Sequence, residues 1–100
     1  GLEVAVGRTV LPRDNIEFIT TVLYQLEQQK VPVQSVNLPS VSNELHVRLQ
    51  GRQYYAKFNL QGSALEQTGA LLAMMDRLEA EEQTPNEYID VRVQDRAYVK

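Results

Sequence analysis

Glu44-Leu45-His46-Val47-Arg48-Leu49-Gln50-Gly51-Arg52-Gln53-Tyr54-Tyr55-Ala56-Lys57-Phe58-Asn59-Leu60 is the stretch that decides the fold. Leu45, Val47 and Leu49 point one way, and Glu44, His46, Arg48 and Gln50 the other. That period of two is the mark of a half-buried strand. After Gly51 the alternation resumes from Gln53, with Tyr54, Ala56, Phe58 and Leu60 on a face opposite Tyr55, Lys57 and Asn59. The short connection at Gly51 predicts an antiparallel hairpin.

Upstream, Val33 to Leu38 reads as a further strand, with Val36 and Leu38 on one face and Asn37 on the other, before turn residues Pro39-Ser40 and Ser42-Asn43. Ahead of it, Ile16, Ile19, Val22, Leu23 and Leu26 recur at helical spacing, so one stripe can face a sheet. Asp14 and Glu17 form a capping-box pattern at its start, and Gln28-Gln29-Lys30 with Pro32 ends it. The apolar run Leu2 to Val6, closed by Gly7, reads as a first strand.

Downstream, Ser63 and Glu66 repeat the capping pattern. Leu65, Thr68, Leu72, Met75 and Leu78, flanked by Leu71 and Met74, give a second apolar stripe, which ends in the acidic Glu79, Glu81 and Glu82. Gln83 to Asn86 is a turn. Tyr88 to Val93 is then the last clear strand, with Ile89, Val91 and Val93 inward and Tyr88, Asp90 and Arg92 outward. It is expected to continue, through a kink at Gln94-Asp95, into Arg96 to Lys100. The predicted architecture is α+β: a mixed, largely antiparallel sheet with two amphipathic helices packed on one face, each helix connecting parallel neighbours.

Composition narrows the function classes. One hundred residues support one hydrophobic core, so residues 1–100 read as a single domain. The 43% hydrophobic and 23% charged fractions are those of an ordinary globular domain rather than a disordered chain. A net charge of −3, with basic residues scattered among acidic ones, argues against nucleic-acid binding. There is no cysteine, which removes disulfides and thiolate metal sites. No apolar run reaches the roughly 18 to 20 residues that span a bilayer. A chain that starts at Gly1 rather than Met reads as an excised piece or a tag-cleaved product, from which targeting or membrane segments could have been removed.

Catalytic patterns are missing. His46, the only histidine, sits on the polar face of a regular strand with no cysteine or G-x-S-x-G serine to partner it. One histidine is too few for a zinc site. Gly7, Gly51, Gly62 and Gly69 have no phosphate-cradling spacing. Paired carboxylates could be drawn from Glu79, Glu81, Glu82 and Asp90, but a charge run at a helix end reads as a solvated terminus. Met74 and Met75 read as core. No cofactor or small-molecule substrate is expected, and the chain is read as a binding module rather than an enzyme. A small hydrolase or transferase would instead require a pocket holding at least two perturbed titratable groups.

The chain closes on Glu87-Tyr88-Ile89-Asp90-Val91-Arg92-Val93, then Gln94-Asp95-Arg96-Ala97-Tyr98-Val99-Lys100. Alternating charges on a last strand fit an edge that is protected from uncontrolled pairing, or one on which a partner adds a strand of its own. From the residues alone the favoured reading is a plain polar face, with Asp90 and Arg92 as an exposed pair contributing at most about 1 kcal/mol.

Tyr88-Ile89-Asp90-Val91-Arg92, preceded by a helix and the Leu45–Leu60 hairpin, resembles the end of the β domain of the bacterial cell-division protein family FtsQ/DivIB. The resemblance runs from about Val33 to Lys100 and loosely includes the first helix. It implies a non-enzymatic scaffold of the division complex on the extracytoplasmic side of the cell membrane. A POTRA domain and a transmembrane helix would belong to the full-length protein, outside this chain. It also implies an FtsB/FtsL-like partner, bound by strand addition at the C-terminal edge. By motif position, Arg92 would pair with an acidic partner residue, and Val93, Gln94, Asp95, Arg96, Ala97, Tyr98 and Val99 would form the docking edge. Tyr88 and Asp90 would be structural members of the motif. The chain departs from the family pattern at Val93, where an aromatic residue often follows the arginine, and it has no tryptophan near its end. A binding or homodimerising domain that uses the same edge is the alternative reading.

Overall fold

The computed structural model describes residues 3–5, 13–39, 43–93 and 96–100. Its elements in chain order are β1 (Glu3–Ala5), α1 (Arg13–Gln28), β2 (Val33–Asn37), β3 (Glu44–Leu49), β4 (Tyr55–Asn59), α2 (Ala64–Ala80), β5 (Tyr88–Asp90) and β6 (Tyr98–Val99). They form a six-stranded sheet in which spatial order equals chain order. The central hairpin is antiparallel, with Leu45 opposite Phe58 and Val47 opposite Ala56. Each helix joins parallel neighbours, α1 linking β1 to β2 and α2 linking β4 to β5. The β2/β3 and β5/β6 pairs are antiparallel, so the sheet is mixed and mostly antiparallel, an α+β fold as expected.

Alternation sets the core. Leu45, Val47, Leu49, Ala56, Phe58 and Ile89 are fully buried and form one cluster with Phe18, Val22 and Leu26 of α1 and Leu71, Met75 and Leu78 of α2. Phe18 meets Phe58 edge-to-face, with ring centroids 6.2 Å apart, a favoured aromatic geometry.

Both helical stripes lie slightly off the expected line. Ile16 and Leu65 are 48% and 59% exposed, while Phe18 and Gln67 are buried. The reason in α1 is that Phe18 offers more apolar area to the core than Ile16, and the two are 200° apart on the helix at about 100° per residue. Val93, expected to point inward, is exposed, because β5 ends at Asp90.

The helix ends also refine the sequence reading. Ser63 caps α2, its side chain accepting from the Glu66 amide. Asp14 lies in the first turn of α1 instead of at a cap, where a carboxylate still favours the positive end of the helix dipole. Glu17 pairs with exposed Arg13 at 3.6 Å. At the C-termini, Lys30 and Glu82 adopt left-handed φ values of 59° and 56°. Lys30 N–H donates to the Glu27 carbonyl and Val31 N–H to that of Leu26. Glu82 and Gln83 repeat the pattern to Glu79 and Leu78. Both are Schellman closures, with a charged residue where glycine is usual.

Candidate functional site

The C-terminal strands end the sheet. The chain does not run on through a kink as the sequence suggested. It reverses after Val93, where Arg96 N–H donates to the Val93 carbonyl at 3.1 Å, and β6 pairs back on β5 with Ile89 opposite Val99 and Asp90 opposite Tyr98. Tyr88 and Lys100 exchange hydrogen bonds at 3.2 and 3.1 Å, which fixes the phase of the ladder. In an antiparallel pair the backbone groups of alternate residues point to opposite sides. Tyr98 and Lys100 therefore face β5, whereas the N–H and C=O of Val99 face outward along the open edge.

Side chains follow the same phase. Val99 shares the helix-covered face with Ile89, while Tyr98 shares the open face with Asp90. Tyr98 and Val99 are 48% and 41% exposed. Ala97 packs partly against the core and Arg96 is exposed. Gln94 and Asp95, two members of the expected docking edge, lie outside the described residues.

Asp90 and Arg92 do not form the exposed pair that the sequence alone allowed. Asp90 keeps the outward face expected for it, beside Lys57, but its neighbours bury it there. Its Oδ1 accepts from the Arg92 backbone N–H at 3.0 Å and from Nε at 2.9 Å, and its Oδ2 accepts from Nη2 at 2.7 Å. Burial pushes the Asp90 carboxyl up. The side-chain and backbone hydrogen bonds from Arg92, with the charges of Arg92 and Lys57, outweigh that and hold it below the usual carboxylate value. The hydrogen bond to Asp90 raises the Arg92 guanidinium further above its ordinary value; burial opposes this, and the charges of Asp90 and Glu44 add to it.

Register explains the third partner. Asp90 lies beside Lys57, and Asn59 lies opposite Glu44. Two residues beyond Asp90, Arg92 is level with Asn59 and reaches across β4, where its Nη1 meets Glu44 Oε2 at 2.8 Å. The other oxygen of Glu44 lies 2.9 Å from His46 Nε2. A chain of polar contacts thus runs Asp90–Arg92–Glu44–His46 along one end of the open face. Glu44 is the member that sequence reasoning missed. Its only signal was the hairpin register, which places it at the same sheet end as the family-like arginine.

Beside this chain the open face carries rings. His46 and Tyr55 are 5.1 Å apart and Tyr55 and Tyr88 5.9 Å, with Lys57 Nζ 3.9 Å above the Tyr88 ring, a cation–π geometry. Tyr88 is thus packed between the Tyr55 ring and the Lys57 ammonium. Two clefts flank Arg92 and Val93. One of 590 Å³ separates them from the first turns of α2, and one of 320 Å³ lies toward Asn43 and Glu44. The larger is floored by buried Gln67, whose amide is spent on the Asn59 backbone, accepting at 2.7 Å and donating at 2.8 Å. Gly62 makes room for this amide, because a Cβ there would stand 2.6 Å from its nitrogen.

Among the described residues no group of three or more His, Asp or Glu is placed to hold a metal ion, and no helix is long and apolar enough to cross a membrane. Of the carboxylates considered as a pair, Asp90 binds Arg92, Glu81 faces Arg77 at 3.6 Å, and Glu79 and Glu82 line one cleft of 540 Å³ beside Arg52. Compared with protein-family models and with curated proteins, the chain gives no match.

Proposed function

We propose that this chain is a non-enzymatic scaffold module of the bacterial division complex that binds an FtsB/FtsL-like partner by strand addition along β6. The observation that carries this reading is the outer edge of β6. It ends the sheet, its Val99 backbone groups point away from β5, and Tyr98 and Val99 expose apolar surface on either face of that edge. An added strand gains main-chain hydrogen bonds from such an edge and selectivity from the alternate side chains. The edge is short and flanked by Arg96 and Lys100, a common protection against indiscriminate pairing.

The extracytoplasmic setting and the partner class come from the resemblance of Tyr88-Ile89-Asp90-Val91-Arg92 to the FtsQ/DivIB motif. The absence of catalysis is supported by the polar groups themselves. Asp90, Arg92, Glu44 and His46 are engaged with one another. Arg92 has two hydrogen-bond donors of its guanidinium on Asp90 and one on Glu44. Its part in binding is therefore to present the remaining N–H groups to a partner carboxylate from a fixed position.

The test is an NMR titration of the domain with the extracytoplasmic segment of the FtsB-like protein from the same organism. Saturable shifts centred on Val93 and Tyr98 to Lys100 are expected. Shifts confined to another surface, or none at high partner concentration, would overturn the reading. If the mass of the domain instead doubles with concentration in the absence of partner, the edge serves a homodimer.

A further inference from the structure

We propose that Glu44 passes the protonation state of His46 to Arg92, so that the C-terminal edge binds a carboxylate-bearing partner more tightly in mildly acidic solution. This rests on the docking role assigned above to that edge. It follows from one carboxylate serving two cationic centres: Oε2 of Glu44 lies 2.8 Å from Arg92 Nη1, and Oε1 lies 2.9 Å from His46 Nε2. With a neutral imidazole, Arg92 is the charged one of these two centres. Once His46 is protonated, the Oε1 contact becomes charge-assisted, and the pull of Glu44 is divided between two cations. Arg92 is then held chiefly by Asp90, and the cluster gains one positive charge. Both changes favour a carboxylate arriving from outside.

The neighbours of His46 define the balance. On its own strand, Glu44 favours the imidazolium and Arg48, two residues on, opposes it. From β4, Lys57 lies directly opposite and also opposes it, and the Tyr55 ring packs 5.1 Å away. From β2, Asn37 is the opposed residue and carries no charge. Glu44 is the one acidic group among these, and it makes the shortest contact. His46 is thus tied to the docking edge by one carboxylate, and histidine is the side chain suited to titrate in the mildly acidic range.

The test has two arms. In the free domain, NMR follows the His46 ring, the Glu44 side-chain carboxyl carbon and the Arg92 Nε–H group from pH 8 to pH 5. The Glu44 and Arg92 signals are expected to move with the midpoint of the His46 ring, and the step should vanish in His46→Gln. A step that persists in His46→Gln, or an Arg92 signal indifferent to the His46 titration, would overturn the proposal. In the second arm, the affinity for the same partner segment should rise by roughly three- to tenfold between pH 7.5 and 5.5, the effect of one added charge near a half-exposed site, and stay flat in His46→Gln. Equal pH dependence in both proteins would overturn the proposal. If the segment binds at neither pH, the docking reading fails, and the free-domain arm still decides whether His46 and Arg92 are coupled.

Discussion

The central hairpin and the C-terminal hairpin are built from the same alternation but held by different forces. In β3 and β4, Leu45, Val47, Leu49, Ala56 and Phe58 are completely buried, so the pair is fixed by apolar contact, which does not depend on pH. In β5 and β6, two short strands expose Tyr98 and Val99, and the connection between them is anchored by Asp90, Arg92 and Glu44. The first region makes the fold; the second joins the core chiefly through Ile89 and Val91, is tied by ion pairs beyond them and is open along one edge. Binding segments are commonly drawn from the less stable parts of a protein, and that contrast motivates the docking proposal for the C-terminal end.

The largest expected effect lies in the central region. Phe58→Ala removes a fully buried ring and its edge-to-face contact with Phe18, and should cost about 3–5 kcal/mol of global stability in chemical denaturation. A loss below about 1 kcal/mol would mean that the hairpin is not the structural centre.

Asp90→Asn should cost less, about 1–3 kcal/mol, and its effect should be local. Faster amide exchange is expected to be greatest from Tyr88 through Val99, with β3 and β4 losing protection only by the global cost. It should also alter acid sensitivity. Because the folded Asp90 carboxyl lies below its usual value of 3.8, its contribution is present above that pH. It is lost as pH falls through the folded value. Wild type should therefore lose stability in that acid window, and Asp90→Asn should lose measurably less there. Equal acid sensitivity in the two proteins would show that the Arg92 contacts do not hold the C-terminal end.

The smallest effects belong to the helix ends, where the structure departs from ordinary chemistry. Lys30→Gly and Glu82→Gly should each stabilise by about 1 kcal/mol, since a left-handed residue with a Cβ is strained. A rise in melting temperature for both is expected, and a fall for either would mean that the side chain contributes more than its strain costs.

Legibility in the sequence follows the same division. The strands of the central hairpin, the Ser63 cap and the parallel connections through both helices could be read because each depends on local period or a short motif. The exposure of Ile16 and Leu65 could not, because facing is decided by which larger side chain, such as Phe18, reaches the core first. The edge proposed for docking was legible only as an alternating last strand. That Arg92 would be shared between Asp90 and Glu44 depends on contact across β4 between residues far apart in sequence. That the chain turns back after Val93, so that Tyr98 and Val99 form the edge, was not written in any single spacing.

The most direct test of docking at this edge is the affinity of Val99→Pro for the partner segment, measured beside Val99→Ala. The outward Val99 N–H takes no part in the ladder between β5 and β6, so proline there removes only a donor offered to an added strand. Amide protection of Tyr88 and Lys100 reports whether that ladder survives. With protection retained, binding by strand addition predicts a loss of tenfold or more in Val99→Pro, well beyond that of Val99→Ala. Retained protection with unchanged affinity in Val99→Pro would contradict it.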